Sequence, residues 1–559
     1  MSGGRAAVEA LRANGVDTVF GLIGSATMEM FDALYDAEEI RFIGVRDERS
    51  GTHMADGYAR ASGKAGVFLA GQNGPGATNL VTPLAQARAA YSPVIALAGS
   101  LATGHVHRDA FQEVDQQHLF MPITKKTYMV NSAGRVPEFI NEGFRNALSP
   151  RQGPVLLNLP RDVLAAEAEF EAIRGAMGDG MHTAVRANPE QVKKAAKLLI
   201  GASRPLIIAG GGIKNSRAHE VVIELAESLG VPVATSPGHG DGMPFDHPLN
   251  AGQVGPRGND VASYLAREAD VILALGTRLG FNSTFYTYDN LNQKAAIIQV
   301  EIEPTALGRF FPVEVAIWGD ASSVVQDIRE AIRGSERDGG AWVAQFKEQR
   351  KRHLVALDET NDEQSPISPE TLFKALREVA PRDTMYTMDA GTLCLQATDR
   401  LAYWQPPALF TPLDFGLVGF SFSCGLGVKL ACPERTVISL MGDGGFGMTV
   451  SELSTAVEHG INTVTVVMNN QCWGAEKAYQ RDFFGERYIG ANLQNPPYDK
   501  LAELYGARGF RVDQPGDLRK TLEAALACGK PAVVDVQVDP AALYSFRRDS
   551  FKHRAGDKA

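Results

Sequence analysis

Several features that mark whole protein classes are scarce or missing here. The 559 residues include only five cysteines, Cys394, Cys424, Cys432, Cys472 and Cys528. They are odd in number, confined to the last third and without C-x-x-C spacing, which argues against a disulfide framework or a zinc site. Buried free thiols in a reducing cytosol are the simpler reading. No stretch approaches the ~18 consecutive apolar residues of a membrane span. The opening MSGGRAAVEALRANGVDTVFG lacks the apolar core and cleavage site of a secretion signal, so it reads as a first helix and strand, and a cytoplasmic location is expected. An excess of positive charge is also missing. The formal charge is −10, whereas nucleic-acid backbones need clustered Lys and Arg. Small anionic substrates stay open, because local cations hold them whatever the global sign.

The chain is rich in apolar runs of strand length alternating with helical patterns. AGVFLAG, SPVIALAG, GPVLLNLP, RPLIIAGGG, ADVILALG, AAIIQVEI, RTVISLMG, NTVTVVMNN and KPAVVDVQV are the clearest. Buried strands alternating with helices predict α/β architecture with doubly wound parallel sheets. Two polar stretches, near 165–190 and 334–368, read as connections. They divide the chain into three domains, 1–165, 190–335 and 368–559, each of ordinary domain size. The first and third look like copies of one unit. Residues 67–99 align without a gap on 438–470, placing Gly71 on Gly442, Gly74 on Gly445, Gly76 on Gly447, Thr78 on Thr449 and Ala85 on Ala456. Only the second copy carries Asp443 after its first glycine and Asn469-Asn470 after its last strand.

That difference defines a candidate metal and phosphate site. A glycine-rich turn (Gly442, Gly444, Gly445) leaving a strand and opening a helix exposes backbone N–H groups that suit a phosphate. Asp443 places a carboxylate where phosphate oxygens would arrive, and Mg²⁺ favours one or two protein oxygens together with phosphates and water. Neighbouring parallel strands meet in one crevice at their carboxyl ends. Asn470, 27 residues on, can therefore offer a second oxygen, and a backbone carbonyl just beyond it a third.

Gly-Asp-Gly followed by Asn-Asn at this separation resembles the signature of thiamine-diphosphate enzymes. The resemblance implies thiamine diphosphate and Mg²⁺ as cofactors, with Asp443, the Asn470 side chain and the Cys472 carbonyl as metal ligands. It also implies a pyrimidine-binding first domain, a middle domain and a diphosphate-binding third domain. Thiamine chemistry needs a carboxylate in a dry pocket, bonded to the aminopyrimidine ring, so that the thiazolium C2 proton is removed. Arg46, Asp47, Glu48 and Arg49 read equally well as a solvated charge cluster, but the family's spacing from Asp-Gly-Tyr-Ala-Arg selects Glu48. In the family this Glu comes from one subunit and the metal site from its partner, implying a homodimer or a dimer of dimers. Val418 matches the bulky apolar residue that holds the cofactor bent.

The general resemblance covers essentially the whole chain in acetolactate-synthase-like order. FGLIGSA, GQNGPG, DAFQEVDQ, ALGTRL, WGAEK and FRRDSFK look more narrowly like the sulfoacetaldehyde acetyltransferases. This implies sulfoacetaldehyde plus phosphate giving acetyl phosphate plus sulfite. The alternative is a 2-oxo-acid carboligase or decarboxylase of the acetolactate synthase type. Substrates of either kind are anionic, sulfonated or carboxylated carbonyl compounds. Arg108, Lys477, Arg547, Arg548 and Lys552 are the candidate anion contacts. Phe111 and Gln112 belong to the segment that the resemblance places near the reacting carbonyl, where Gln112 can donate a hydrogen bond. His105 and His107 share that loop and match no motif. The sequence around Val418 and Thr392-Leu393-Cys394 departs from the acetyltransferases, and the tail is shorter. Gly210-Gly211-Gly212 and Gly276-Thr277-Arg278 are weak dinucleotide signals, and the middle domain is expected to bind no nucleotide. A catalytically inactive scaffold has no physical need for Glu48, Asp443 and Asn470 together.

Overall fold

The computed structural model describes residues 1–176, 184–336, 338–360, 363–546, 551 and 553. Three six-stranded sheets, in which every pairing between the named strands is parallel, organise them. The first contains β1 (Thr18–Leu22), β2 (Arg41–Gly44), β3 (Gly66–Ala70), β4 (Val94–Ser100), β5 (Lys126–Met129) and β6 (Val155–Pro160), in the order β2-β1-β3-β4-β6-β5. The second contains β7 (Pro205–Ala209), β8 (Val233–Thr235), β9 (Asn250–Gln253), β10 (Val271–Leu275), β11 (Ala296–Glu301) and β12 (Val315–Trp318), in the order β12-β11-β10-β7-β8-β9. The third contains β13 (Met385–Met388), β14 (Leu409–Phe410), β15 (Val437–Gly442), β16 (Val464–Asn469), β17 (Arg508–Val512) and β18 (Ala532–Gln537), in the order β14-β13-β15-β16-β18-β17. The first and third orders are the same when strands are counted within each sheet. The gapless repeat thus lies on β3–β4 and β15–β16, which hold equivalent places.

The nine apolar runs become β3, β4, β6, β7, β10, β11, β15, β16 and β18. All are interior strands apolar on both faces, so their sequences need no alternation. The connection expected near 334–368 is different in the structure. Most of it is the helix Gly340–Asp358, which buries Trp342, Val343 and Phe346 in the core of the second sheet. Its polar face had masked these three anchors. The cysteines are free as expected, but only Cys394, Cys424 and Cys472 are buried, while Cys432 and Cys528 are partly exposed.

The first and third sheets share an apolar core. Phe20, Met54 and Phe68 pack with Phe422, Leu426 and Phe446. The helices Glu48–Ser62 and Ser421–Ala431 meet there at two glycines. A Cβ on Gly57 would lie 2.3 Å from the Cys424 carbonyl oxygen, and one on Gly427 would lie 1.8 Å from that of Met54. Backbone contact this close fixes how the carboxyl ends of the two sheets are offset.

Candidate active site

At the end of β15 the chain turns through Gly442 into the short helix Asp443–Gly447. Two glycines there are required by what lies above and below them. A Cβ on Gly444 would sit 2.6 Å from the Trp473 ring, and one on Gly445 would sit 2.2 Å from Asp389 Oδ2. The turn is therefore clamped between an indole and a buried carboxylate. Asp389 follows β13, and its two oxygens accept the backbone N–H groups of Gly419 (2.9 Å) and Phe420 (2.8 Å). It thus ties the Val418 loop to the glycine turn. Burial pushes its carboxyl up to about 6.

Three oxygens converge beside the turn. The Asn470 amide oxygen faces Asp443 Oδ1 at 3.2 Å and the Cys472 carbonyl at 3.1 Å. Turned round, the amide nitrogen would donate to both, so the oxygen-inward orientation is the one a cation selects. Adjacent ligands of an octahedral Mg²⁺ with bonds near 2.1 Å stand about 3.0 Å apart, so the spacing fits this ion. Among the described residues no three His, Cys, Asp or Glu side chains cluster as metal ligands; this donor set instead combines one carboxylate, one amide and one carbonyl. The other Asp443 oxygen accepts from Asn495 Nδ2 at 2.7 Å, and the Asp443 carbonyl accepts from Tyr498 Oη at 2.8 Å. Burial pushes the Asp443 carboxyl up to about 6, and a bound cation would oppose that shift.

Val418, Gly442, Asp443, Gly444, Gly445, Asn470 and Cys472 all line one cavity of about 1410 Å³. It continues past Trp473–Glu476 to Phe546, and into the middle domain at Gly211, Gly212 and Gly276–Arg278. Glu48 is not in this cavity. It is the first residue of the helix Glu48–Ser62, is 7% exposed, and accepts from Asn79 Nδ2 at 2.9 Å. Gln112 lies in the same half of the molecule, its side-chain oxygen accepting from Gln72 Nε2 at 2.5 Å and its carbonyl from Asn73 Nδ2 at 3.1 Å. The loop carrying it has positive φ at His107, Asp109 and Gln112. Glu113 braces that loop by accepting from the backbone N–H groups of His107 and Ala110, bonds that hold its carboxyl below the usual range. His105, His107 and Arg108 are exposed, and Phe111 is 84% exposed. Within one chain the sequence candidates thus form two groups, one around Glu48 and Gln112 and one around Asp443 and Asn470. Lys477 does not line the cavity; its Nζ stands 5.6 Å from the Tyr488 ring centre, and its charge acts on the Cys472 thiol. Arg547, Arg548 and Lys552 lie outside the described residues.

Sequence reasoning overlooked Asp389 and Asn495, and singled out Trp473 only as part of WGAEK. Asp389 had a usable signal, since Met-Asp-Ala-Gly after a strand parallels Gly-Asp-Gly. Asn495 sits in a loop with no pattern around it.

Comparison with known proteins gives three domain matches along the chain. Residues 1–119 match the thiamine pyrophosphate enzyme N-terminal TPP binding domain, residues 192–328 its central domain and residues 389–536 its C-terminal TPP binding domain. The chain is 36% identical over 552 residues to a probable acetolactate synthase large subunit of Methanocaldococcus jannaschii, covering 97% of this chain and 92% of the relative. It is 34% identical over 580 residues to a sulfoacetaldehyde acetyltransferase of Alcaligenes xylosoxydans xylosoxydans, covering 98% and 95%. An acetolactate synthase of Mycobacterium bovis is 33% identical over 545 residues, covering 96% and 88%.

Proposed function

The chain belongs to the thiamine pyrophosphate enzymes, and from that premise we propose that it is an acyl-transferring lyase converting sulfoacetaldehyde and phosphate into acetyl phosphate and sulfite. Its cofactor is thiamine diphosphate with Mg²⁺. Bound there, the cofactor supplies a nucleophilic carbon and an electron sink beside a carbonyl carbon. The carbon–sulfur bond breaks and a carbon–oxygen bond to phosphate forms. The aldehyde carbon is oxidised as its neighbour is reduced, so no external oxidant is required.

The observation that supports the substrate reading is the cavity wall that adjoins the metal site. WGAEK and the tail, the two most specific motifs, meet there: Phe546 lines the cavity beside Trp473–Glu476, and Phe546 and Phe551 both pack on Tyr479. A specificity wall made of these segments excludes water and shapes the acyl end of the cleft.

Each residue then has a defined task. Asp443, Asn470 and the Cys472 carbonyl would hold the cation, while Gly442, Gly444 and Gly445 would let backbone approach the diphosphate. Val418, which lines the cavity, would support the bound cofactor as an apolar contact. Glu48 from a second copy of the chain holds a proton at the aminopyrimidine nitrogen. Gln112 on the adjacent loop donates to the reacting carbonyl, with Phe111 shielding it and Arg108 attracting the anion. Arg547 and Arg548 are the tail's anion contacts. Lys477, engaged with Tyr488, is the weakest of the cationic candidates. The separation of Glu48 from the cavity within one chain supports a homodimer or a dimer of dimers.

The second reading, a carboligase or decarboxylase acting on 2-oxo acids, is favoured by the comparable identity to acetolactate synthases. One assay separates them. Purified protein with thiamine diphosphate, Mg²⁺, sulfoacetaldehyde and phosphate is expected to release sulfite and acetyl phosphate in equal amounts. Absence of sulfite at every phosphate concentration, with CO₂ released from pyruvate without phosphate, would replace the first reading by the second.

A further inference from the structure

A second cleft, of about 370 Å³, shares no lining residue with the cofactor cavity. It lies between residues 245–248 and the helix Gly340–Asp358, and its wall includes Lys347, Arg350 and Lys351. Spaced three and four apart, these cations stand on one helix face. Arg350 is 8% exposed. Its guanidinium carbon lies 5.6 Å from the Phe245 ring centre, and among the described residues the guanidinium has no hydrogen-bond or ion-pair contact, Asp399 acting on it only through its field. Burial lowers its pKa, and the field of Asp399 only offsets this. One Asp399 oxygen already accepts from the Gln253 backbone N–H and from Asn259 Nδ2, each at 2.9 Å.

The carboxylates that line the cleft are also engaged. Asp246 pairs with Arg382 at 3.0 Å and Asp358 with Arg377 at 2.6 Å. His247 faces Glu227 at 3.3 Å. Three cations therefore remain around one opening, and the innermost is mostly buried while its guanidinium forms no ion pair among the described residues. Partial burial disfavours the Arg350 charge, and like charges at i,i+4 weaken a helix. An anion seated between them reverses both costs.

We propose that this cleft is a second ligand site, taking a small free oxyanion of phosphate size. Arg350 grips the oxyanion through its planar donor fork, and Lys347 and Lys351 close over it from the rim. The inference stands apart from the substrate reading above, since it uses none of the same residues.

Equilibrium dialysis of the full-length protein, loaded with thiamine diphosphate and Mg²⁺, against radiolabelled inorganic phosphate tests it. Phosphate binding at the catalytic cleft contributes equally to wild type and to Lys347→Gln/Lys351→Gln, so the difference isolates the second cleft. Both lysines are exposed, and their removal leaves the fold intact. The double variant is expected to bind one phosphate per chain at least roughly tenfold more weakly than wild type, with sulfite release or pyruvate turnover unchanged at saturating substrate. Arg350→Gln is expected to lose the same phosphate. Equal phosphate stoichiometry and affinity in wild type and the lysine variant would overturn the proposal, whatever the folding of the Arg350 variant.

Discussion

Adjacent carboxylates at positions 47 and 48 meet different surroundings. Asp47 is extended and accepts the Arg49 backbone N–H at 2.7 Å, capping the helix that follows. Glu48 turns inward to Asn79, and Gly76 leaves its Oε1 room that a Cβ would narrow to 3.2 Å. The cap engages the Asp47 carboxylate at a helix terminus, in keeping with Glu48 as the carboxylate proposed for proton chemistry. Glu48→Gln preserves shape and can still accept from Asn79, yet it cannot exchange a proton. Turnover is expected to fall by roughly 10²–10⁴-fold, the usual range for a lost general acid–base. Binding of thiamine diphosphate with Mg²⁺, followed by quenching of Trp473 fluorescence, is expected to change far less. Full activity in this variant would remove Glu48 from the role.

Between elements, the decisive contact is the crossing of the helices Glu48–Ser62 and Ser421–Ala431. At Gly427 the obstructing atom is the Met54 backbone carbonyl, 1.8 Å from an added Cβ. Backbone cannot rotate aside as a side chain can, so the helices must separate and open the shared core. Gly427→Ala is expected to destabilise by roughly 1–3 kcal/mol or more. Because the Glu48 helix would shift with it, activity should fall as well. Gly201→Ala, where nothing lies within 4 Å of an added Cβ, is the neutral control. Thermal unfolding followed by circular dichroism compares the two.

For the molecule as a whole, the contact between first and third domains carries a titratable group. Glu452 is fully buried, accepts from the Arg46 backbone N–H at 3.1 Å and from Thr455 Oγ1 at 2.6 Å, and is pushed by burial up to about 7. Its folded-state pKa is raised, so the folded protein holds this proton more tightly than the unfolded chain. Stability from this group is complete below about 4.5, falls as pH rises toward about 7, and then levels off. The loss amounts to about 3 kcal/mol at the usual value per pKa unit. Glu452→Gln keeps both hydrogen bonds and removes the titration. Urea midpoints at pH 5 and pH 8 are therefore expected to differ less in the variant than in wild type. An unchanged difference would show that Glu452 ionises without consequence for the domain contact.

The sequence by itself determined the interior strands and the two loops of the proposed metal site. Strands buried on both faces must be apolar throughout, and Asp443 and Asn470 follow such strands directly. Short or edge strands such as β5, β12, β14 and β17 pack on fewer sides, so their sequences carry weaker patterns. The helix Gly340–Asp358 was hidden for a related reason, since three buried anchors hold a helix whose remaining surface is polar. Asp389, Asn495 and Trp473 act on the glycine turn from 54, 52 and 30 residues away in the chain, distances over which no local pattern records contact. Only the tertiary structure decided that Glu48 lies outside the cavity lined by Asp443 and Asn470, because its carboxylate is held by Asn79, 31 residues away, in a contact that packing alone creates.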